Sequence, residues 1–175
     1  MLRPFSVRLV DYDPDWPRQA AERSARLRVL EPVLVAVHHI GSTAVPGLIA
    51  KPIIDLMPLV TDLAALDRER STVEALGYEW FGEYGITGWR YCKQDIGSVR
   101  VAQLHFFAVG DPGAVRHLAF RDYLRAHSGI AAAYASEKRR ARDMHPGDHQ
   151  AYGGEKQAWI NRVEAEALAW YTRRT

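Results

Sequence analysis

The chain has 175 residues, of which 47% are hydrophobic and 25% charged, and its formal net charge is +2. These values predict a soluble globular protein with one domain over residues 1–175 and exclude a strongly basic nucleic-acid-binding protein. The single cysteine, Cys92, excludes a disulfide framework and a cysteine-rich zinc site. Neither a signal peptide nor an apolar run of the ~18 residues that a membrane span requires is evident, so we expect a cytoplasmic protein without a membrane partner.

The first half of the chain predicts short strands separated by turns and two helices. Asp15 is the predicted N-cap of the first helix, and Pro32 ends that helix. The predicted strands are Val7–Val10, Val33–Ile40, Ile53–Val60, Tyr78–Trp80, Trp89–Lys93 and Val99–Val109, and the predicted helices are Ala20–Leu30 and Thr61–Leu76. The segment 41–52 is predicted to be a loop or a short helical turn.

The second half is predicted to be helical throughout. Its three segments are Pro112–Ala126, Gly129–His145 and His149–Arg173, with no strand between them. Strands followed by helices in this order indicate an α+β fold.

A glycine-serine turn between two predicted strands is the first candidate site. Gly41 and Ser42 follow one apolar run, and Asp55 lies inside the next. Backbone amides and a hydroxyl in such a turn suit phosphate oxygens, because glycine allows close approach of a ligand. The alternative is structural: Ser42 and Thr43 cap a short helix, and Asp55 satisfies a neighbouring turn or an arginine.

The strand that holds Asp55 bears on metal binding. Residues 55, 57 and 59 share one face of that strand, and position 57 is methionine. A metal-dependent transferase needs at least two carboxylates to hold Mg²⁺ against substrate phosphates. Met57 therefore argues against two-metal catalysis, although Asp55 remains a candidate metal ligand.

Several basic side chains are candidates for contacts with an anion. Lys51 lies in the loop before Asp55, and His105 lies on the strand predicted beside it, where a ligand or acid-base role competes with an ordinary buried histidine. Arg90 and Lys93 are predicted to face the same cleft from the preceding hairpin.

The helical half repeats a Tyr-x-x-x-Lys spacing. Tyr134 with Lys138 and Tyr152 with Lys156 each lie four residues apart, so each pair occupies one helix face. Singly, each pair predicts a tyrosine at the edge of the core and a solvated lysine. Together they predict a cleft for a phosphate or another anion. The basic run 138–142 predicts a solvated helix face, with an RNA-binding surface as the weaker alternative.

These motifs in combination resemble the GrpB family. The residues that carry the resemblance are VDYDPDW at 10–16, HIGSTAVPGL at 39–48, KPIID at 51–55, Leu104-His105, FRDYLR at 120–125, and the pairs Tyr134–Lys138 and Tyr152–Lys156. The resemblance spans nearly the whole chain. It implies a polymerase-beta-type nucleotidyltransferase fold, a mixed sheet flanked by helices, and a relation to the C-terminal part of some dephospho-coenzyme A kinases.

The resemblance also implies roles for single residues. It places Gly41, Ser42 and Thr43 at a phosphate turn and Asp55 at the position of the first metal-binding aspartate. Further positions that match the family are Lys51, His105, Arg121, Lys138 and Lys156. The departure is Met57, where active nucleotidyltransferases carry a second acid.

Two functional hypotheses follow. One is a nucleotidyltransferase in which Ser42 binds phosphate, Asp55 holds Mg²⁺ and His105 serves as a ligand or base for an unknown acceptor. The other is a catalytically reduced module that binds a nucleotide or a coenzyme-A-like phosphate without transferring it. Both expect a small phosphorylated ligand as partner, and neither expects nucleic acid.

Overall fold

A computed structural model describes residues 6–175 and shows one five-stranded mixed sheet. The strands are β1 (Leu34–Ile40), β2 (Ile54–Val60), β3 (Glu79–Gly82), β4 (Arg90–Ile96) and β5 (Val99–Ala108), in the order β1-β2-β5-β4-β3. The helices are α1 (Trp16–Leu27), α2 (Leu63–Arg68), α3 (Arg70–Ala75), α4 (Pro112–Ala126), α5 (Ser128–Met144) and α6 (His149–Thr172). The predicted α+β fold with a helical C-terminal half is confirmed.

The register of the central strands fixes which side chains meet. Strand β2 runs parallel to β5 and places Asp55 beside Gln103, whereas β4 runs antiparallel to β5 and places Tyr91 beside His105. Because successive side chains in a strand alternate between faces, Asp55 and Met57 share one face of β2.

Each face of the sheet has its own apolar cluster. Helices α1, α2 and α3 cover one face through residues such as Leu27, Leu66 and Val73. Helix α4 covers part of the other face, where Ala114 packs with Met57. Helices α5 and α6 extend this second layer and pack against the loop that follows β1.

The N-terminal predictions need two corrections. The Val7–Val10 strand is wrong: only Val10 pairs, with Ala50, while Val7 is buried against Tyr152 and donates its amide to Pro146 O at 2.8 Å. Asp15 precedes α1, but its side chain accepts no bond from a helix amide, because Arg18 and Gln19 occupy the carboxylate.

The predicted Thr61–Leu76 helix is two short helices. The backbone leaves helical geometry at Glu69, with φ −92° and ψ 8°, which separates α2 from α3. Asp62 caps α2 by accepting the Ala65 amide at 2.7 Å. Among residues 6–175, no helix is both long and apolar enough to cross a membrane.

Candidate functional site

A cavity of about 210 Å³ lies between the open part of the sheet and helices α5 and α6. Its walls combine the loop after β1, the start of β2, one residue of β5 and both helices. The lining residues are Gly41, Ser42, Thr43, Ala50, Lys51, Ile53, Asp55, Gln103, Tyr134, Lys138, Tyr152 and Lys156. Six predicted ligand residues and Asp55 therefore meet around one cavity.

The turn after β1 forms the floor of this cavity. Gly41 has φ +73° and ψ −170°, a backbone conformation that is almost restricted to glycine. A Cβ atom there would lie 2.8 Å from Asp55 Oδ2, so Asp55 and the turn approach each other as closely as glycine permits. A single 3₁₀ turn, Ser42–Ala44, follows.

Some polar groups of this turn are hydrogen-bonded within the protein, and others have no hydrogen-bond partner in the described part of the chain. Thr43 is buried, and its hydroxyl is bonded to His39 Nε2 at 2.8 Å, which stiffens the turn. Burial lowers the pKa of His39 to about 4, so this imidazole is neutral at pH 7. Within residues 6–175 the amides of Ser42 and Thr43 have no hydrogen-bond acceptor, which leaves them available to an anion.

Lys138 is the most buried charged residue in the described chain, at 3% exposure. Its Nζ donates to Ser42 Oγ and to Ile49 O, the latter at 2.9 Å, and lies 4.7 Å from the centre of the Tyr134 ring. Burial, followed by the charges of Lys156 and Lys51, holds the pKa of Lys138 well below its usual range. Lys138 thus fixes the Ser42 hydroxyl from below the turn.

Two further lysines line the cavity, one from the loop before β2 and one from α6. Lys156 Nζ lies 4.2 Å from the centre of the Tyr152 ring, and Lys51 Nζ lies 5.5 Å from the same ring. Burial lowers the pKa of Lys156 to about 8, with Lys51 as the next cause. Burial also lowers the pKa of Lys51.

The lysine cluster, Lys51, Lys138 and Lys156, contains three of the four lysines in the chain. Among residues 6–175 no carboxylate oxygen lies within 4.0 Å of these three amines, whereas the fourth lysine, Lys93, is paired with Glu79 and Asp95. Asp55 is the one acid in the wall. The cavity is therefore lined by three lysines against one carboxylate, and such an excess of basic groups attracts an anion.

Asp55 is held from behind by His105. Nε2 of His105 lies 3.2 Å from Asp55 Oδ1, and the Trp89 indole stacks on the imidazole with ring centres 5.6 Å apart and an interplanar angle of 6°. The His117 ring centre lies 5.8 Å from that of His105, and burial lowers the pKa of His117 to about 4. His105 orients Asp55 and does not itself line the cavity.

Two predicted ligand residues lie elsewhere. Arg90 bonds Asp67 at 2.7 and 2.8 Å, because alternation along β4 turns it to the face opposite Tyr91. Arg121 donates to His39 O at 3.0 Å and to Asp122 at 2.7 Å, so it anchors the end of β1. The structure does not place either guanidinium in the cavity.

Two residues at the site make contacts that the sequence did not specify. Gln103 lines the cavity and accepts the Tyr91 hydroxyl at 2.5 Å, a contact that only the strand register reveals. Tyr134 stacks on Trp159 with ring centres 4.9 Å apart, so it joins α5 to α6 at the site. Its spacing from Lys138 was the available signal.

The donor set does not fit Mg²⁺ as a resident cofactor. Residues 6–175 contain no group of three or more His, Cys, Asp or Glu side chains arranged to hold a metal ion. Asp55 supplies one carboxylate and shares it with His105, Met57 is fully buried under α4, and three lysines stand where metal charge would act. A divalent cation would be repelled by the lysine cluster and would find few oxygen ligands.

The chain is similar to proteins of several bacteria. It is 39% identical to the UPF0157 protein YqkA of Bacillus subtilis over 94% of its length, and it spans 48% of that protein. It is 32% identical to a dephospho-CoA kinase of Mycolicibacterium paratuberculosis over 94% of its length and 46% of the kinase. The chain therefore spans about half of the length of both relatives.

Solved structures place the fold. A crystal structure of the conserved protein GrpB from Enterococcus faecalis superimposes with a TM-score of 0.89 and 36% identity, covering 94% of this chain and 99% of that one. A structure of the Cid1 poly(U) polymerase with Mg 3′-dATP reaches a TM-score of 0.52 at 11% identity, over 83% of this chain and 49% of that one, which shows the nucleotidyltransferase fold alone. A family model described as GrpB protein matches residues 6–166, so the chain belongs to the GrpB family.

Proposed function

We propose that the chain binds a small phosphorylated ligand in the lysine cavity without a metal ion. The observation that carries the proposal is the convergence of the lysine cluster on the Gly41-Ser42 turn with no carboxylate partner. At an effective dielectric constant of about 20, one ammonium group 4 Å from one phosphate charge contributes about 4 kcal/mol of attraction. In this proposal Lys51 and Lys156 supply the attraction that a metal ion would otherwise supply, and Lys138, whose pKa burial holds well below its usual range, orients the Ser42 hydroxyl.

The turn after β1 supplies hydrogen-bond donors that position the phosphate oxygens, in addition to the charge of the lysines. The free amides of Ser42 and Thr43 and the Ser42 hydroxyl act as donors for phosphate oxygens, while Lys138 fixes that hydroxyl from behind. The cavity of about 210 Å³ accommodates a short run of phosphate groups and no large organic part. The rest of the ligand must therefore extend along the open sheet.

A thermal-shift titration in EDTA tests the proposal. Tripolyphosphate at 100 times its dissociation constant stabilises a single-site binder by about 2.7 kcal/mol, or roughly 5–10 °C in Tm for this chain length. We expect this shift to be the same or smaller when Mg²⁺ replaces EDTA. A shift that requires Mg²⁺, or no shift with tripolyphosphate, pyrophosphate or phosphate, contradicts the proposal.

Nucleotidyl transfer is the second candidate, and the position of Asp55 favours it. One carboxylate oxygen is held by His105, and the other faces the turn. In this reaction an acceptor hydroxyl attacks phosphorus, its proton passes to Asp55, and the lysines stabilise the departing diphosphate. Incubation with α-labelled nucleoside triphosphates and a cell extract tests it: label must transfer with the wild type and not with Asp55→Asn, and no transfer with either protein rejects it.

A further inference from the structure

A run of aromatic side chains leads away from the lysine cavity across the sheet. The Tyr91 hydroxyl bonds Gln103, which lines the cavity, and the Tyr91 ring lies 5.3 Å from both the Trp89 and the Tyr84 rings. Phe81 closes the group at 5.3 Å from Tyr84 and 5.6 Å from Tyr91. We call these four residues, Phe81, Tyr84, Trp89 and Tyr91, the aromatic strip.

The strip is buried near the cavity and exposed at its far end. Tyr91 is 7% exposed, whereas Tyr84 is 63% exposed although the Phe81 and Tyr91 rings lie against it. The apolar cluster under helix α4 reaches the strip only at Trp89 and does not include Phe81, Tyr84 or Tyr91. The exposed Tyr84 ring is therefore connected to the cationic cavity through Tyr91 and Gln103.

The backbone holds Tyr84 in this position at a cost. Its φ is +45°, and no other non-glycine residue in the described chain has a positive φ. Gly82, Gly85 and Gly88 in the same β3–β4 segment also have positive φ values, which allow the tight path of the loop. Strain of this kind persists where the surrounding structure over-determines it, often at binding sites.

We propose that Tyr84 and the aromatic strip bind a planar aromatic group carried by the ligand whose phosphates occupy the lysine cavity. This inference rests on the proposed function and assigns the ligand class: a phosphorylated compound with an aromatic ring at its other end, as in a nucleotide. Tyr91 connects the two parts, since its ring contacts Tyr84 and its hydroxyl reaches Gln103. Aromatic stacking is tolerant of ring identity, so the site prefers rings over bare phosphate and discriminates weakly between bases.

The experiment compares tripolyphosphate with adenosine 5′-triphosphate by calorimetric titration in EDTA. We expect the wild type to bind the nucleotide about tenfold more tightly than tripolyphosphate, which carries the phosphates without the ring. In Tyr84→Ala this preference should fall to about twofold or less, while tripolyphosphate affinity stays unchanged. The matched control is Ile86→Ala, because Ile86 is also exposed on the same loop and carries no aromatic ring.

The outcomes separate this inference from the function on which it rests. If tripolyphosphate fails to bind the wild type, the lysine cavity is not a phosphate site and both ideas fail. If tripolyphosphate binds but the nucleotide is no tighter, or its advantage survives in Tyr84→Ala, only the aromatic site is rejected. An equal loss in Ile86→Ala would show that loop disturbance, not stacking, causes the effect.

Discussion

Replacing Lys156 with methionine is expected to weaken tripolyphosphate binding at pH 7 about thirtyfold and, at the same time, to stabilise the unliganded protein. The loss follows from removing a largely buried cation from an anion site, which costs about 2 kcal/mol or more. The gain follows because methionine is close to lysine in length and brings no charge into the wall. Calorimetry measures the first effect and urea unfolding the second.

The gain in stability can be bounded from the titration of Lys156. Its pKa is about 8 in the folded chain against 10.5 for an ordinary lysine, so the folded state carries the full penalty below pH 8 and sheds it as pH rises to 10.5. That penalty is about 3 kcal/mol, and the contact with the Tyr152 ring offsets about 1 kcal/mol. We therefore expect Lys156→Met to raise the free energy of unfolding at pH 7 by about 1–2 kcal/mol.

The same titration gives binding a pH dependence. A phosphate binds the ammonium form, so the contribution of Lys156 is complete below pH 8 and is lost as pH rises above it. The ratio of wild-type to Lys156→Met affinity should fall about tenfold between pH 7 and pH 9, and taking the ratio cancels the ionisation of the ligand itself.

Lys93→Met is the matched control for this experiment. It removes the same charge from the one lysine outside the cluster, which is paired with Glu79 and Asp95. Both its affinity for tripolyphosphate and its pH profile should match those of the wild type. If Lys93→Met lost as much affinity for tripolyphosphate as Lys156→Met, the effect would come from total charge and not from the position of the lysine cluster.

Strand alternation made the face around Asp55 predictable. It places Met57 on the face of Asp55, and the structure shows that Met57 is fully buried with Ala114 of α4. The position of a second carboxylate is thus filled by an apolar contact with a helix. An acid at position 57 would be buried without a partner, so the packing of this face disfavours a carboxylate at that position.

The lysine cluster was only half predictable. Helical spacing puts Tyr134 with Lys138 and Tyr152 with Lys156, and both pairs fall within helices as expected. Spacing carries no information on which side of each helix meets the loop after β1. In the structure Val45 and Leu48 of that loop pack in one cluster with Tyr134. Lys138 is buried on the same helix, so it is an exception to the predicted solvated face of residues 138–142.

The prediction that Arg90 faces the cleft is wrong because successive side chains of β4 point to opposite faces of the sheet. Its neighbour Tyr91 pairs with His105 and shares the Asp55 face, so Arg90 must point to the other side, where Asp67 accepts it. The position of Arg90 on the hairpin does not by itself tell which face of β4 its side chain occupies. The register depends on the β4–β5 pairing, which one sequence does not specify well.

Gly41→Ala is expected to destabilise the protein by about 3 kcal/mol or more and to abolish tripolyphosphate binding. Two effects add: the backbone conformation at φ +73° and ψ −170° costs an alanine about 1–3 kcal/mol, and its Cβ would lie 2.8 Å from Asp55 Oδ2. Moving either group displaces the turn that presents Ser42. Urea unfolding should show the loss directly, and at this chain length each kcal/mol lowers Tm by roughly 2–4 °C.

A double-mutant cycle with Asp55→Ala separates the backbone strain at residue 41 from the steric clash between the added Cβ and the Asp55 carboxylate. In the Asp55→Ala background the carboxylate is gone, so Gly41→Ala should cost at least about 1 kcal/mol less than in the wild type. Gly97→Ala is the control for backbone strain alone, since Gly97 has φ +61° and nothing within 4 Å of the added Cβ. Equal costs of Gly41→Ala with and without Asp55 would mean that the two groups do not meet as described, and the geometry that joins the phosphate turn to Asp55 would have to be abandoned.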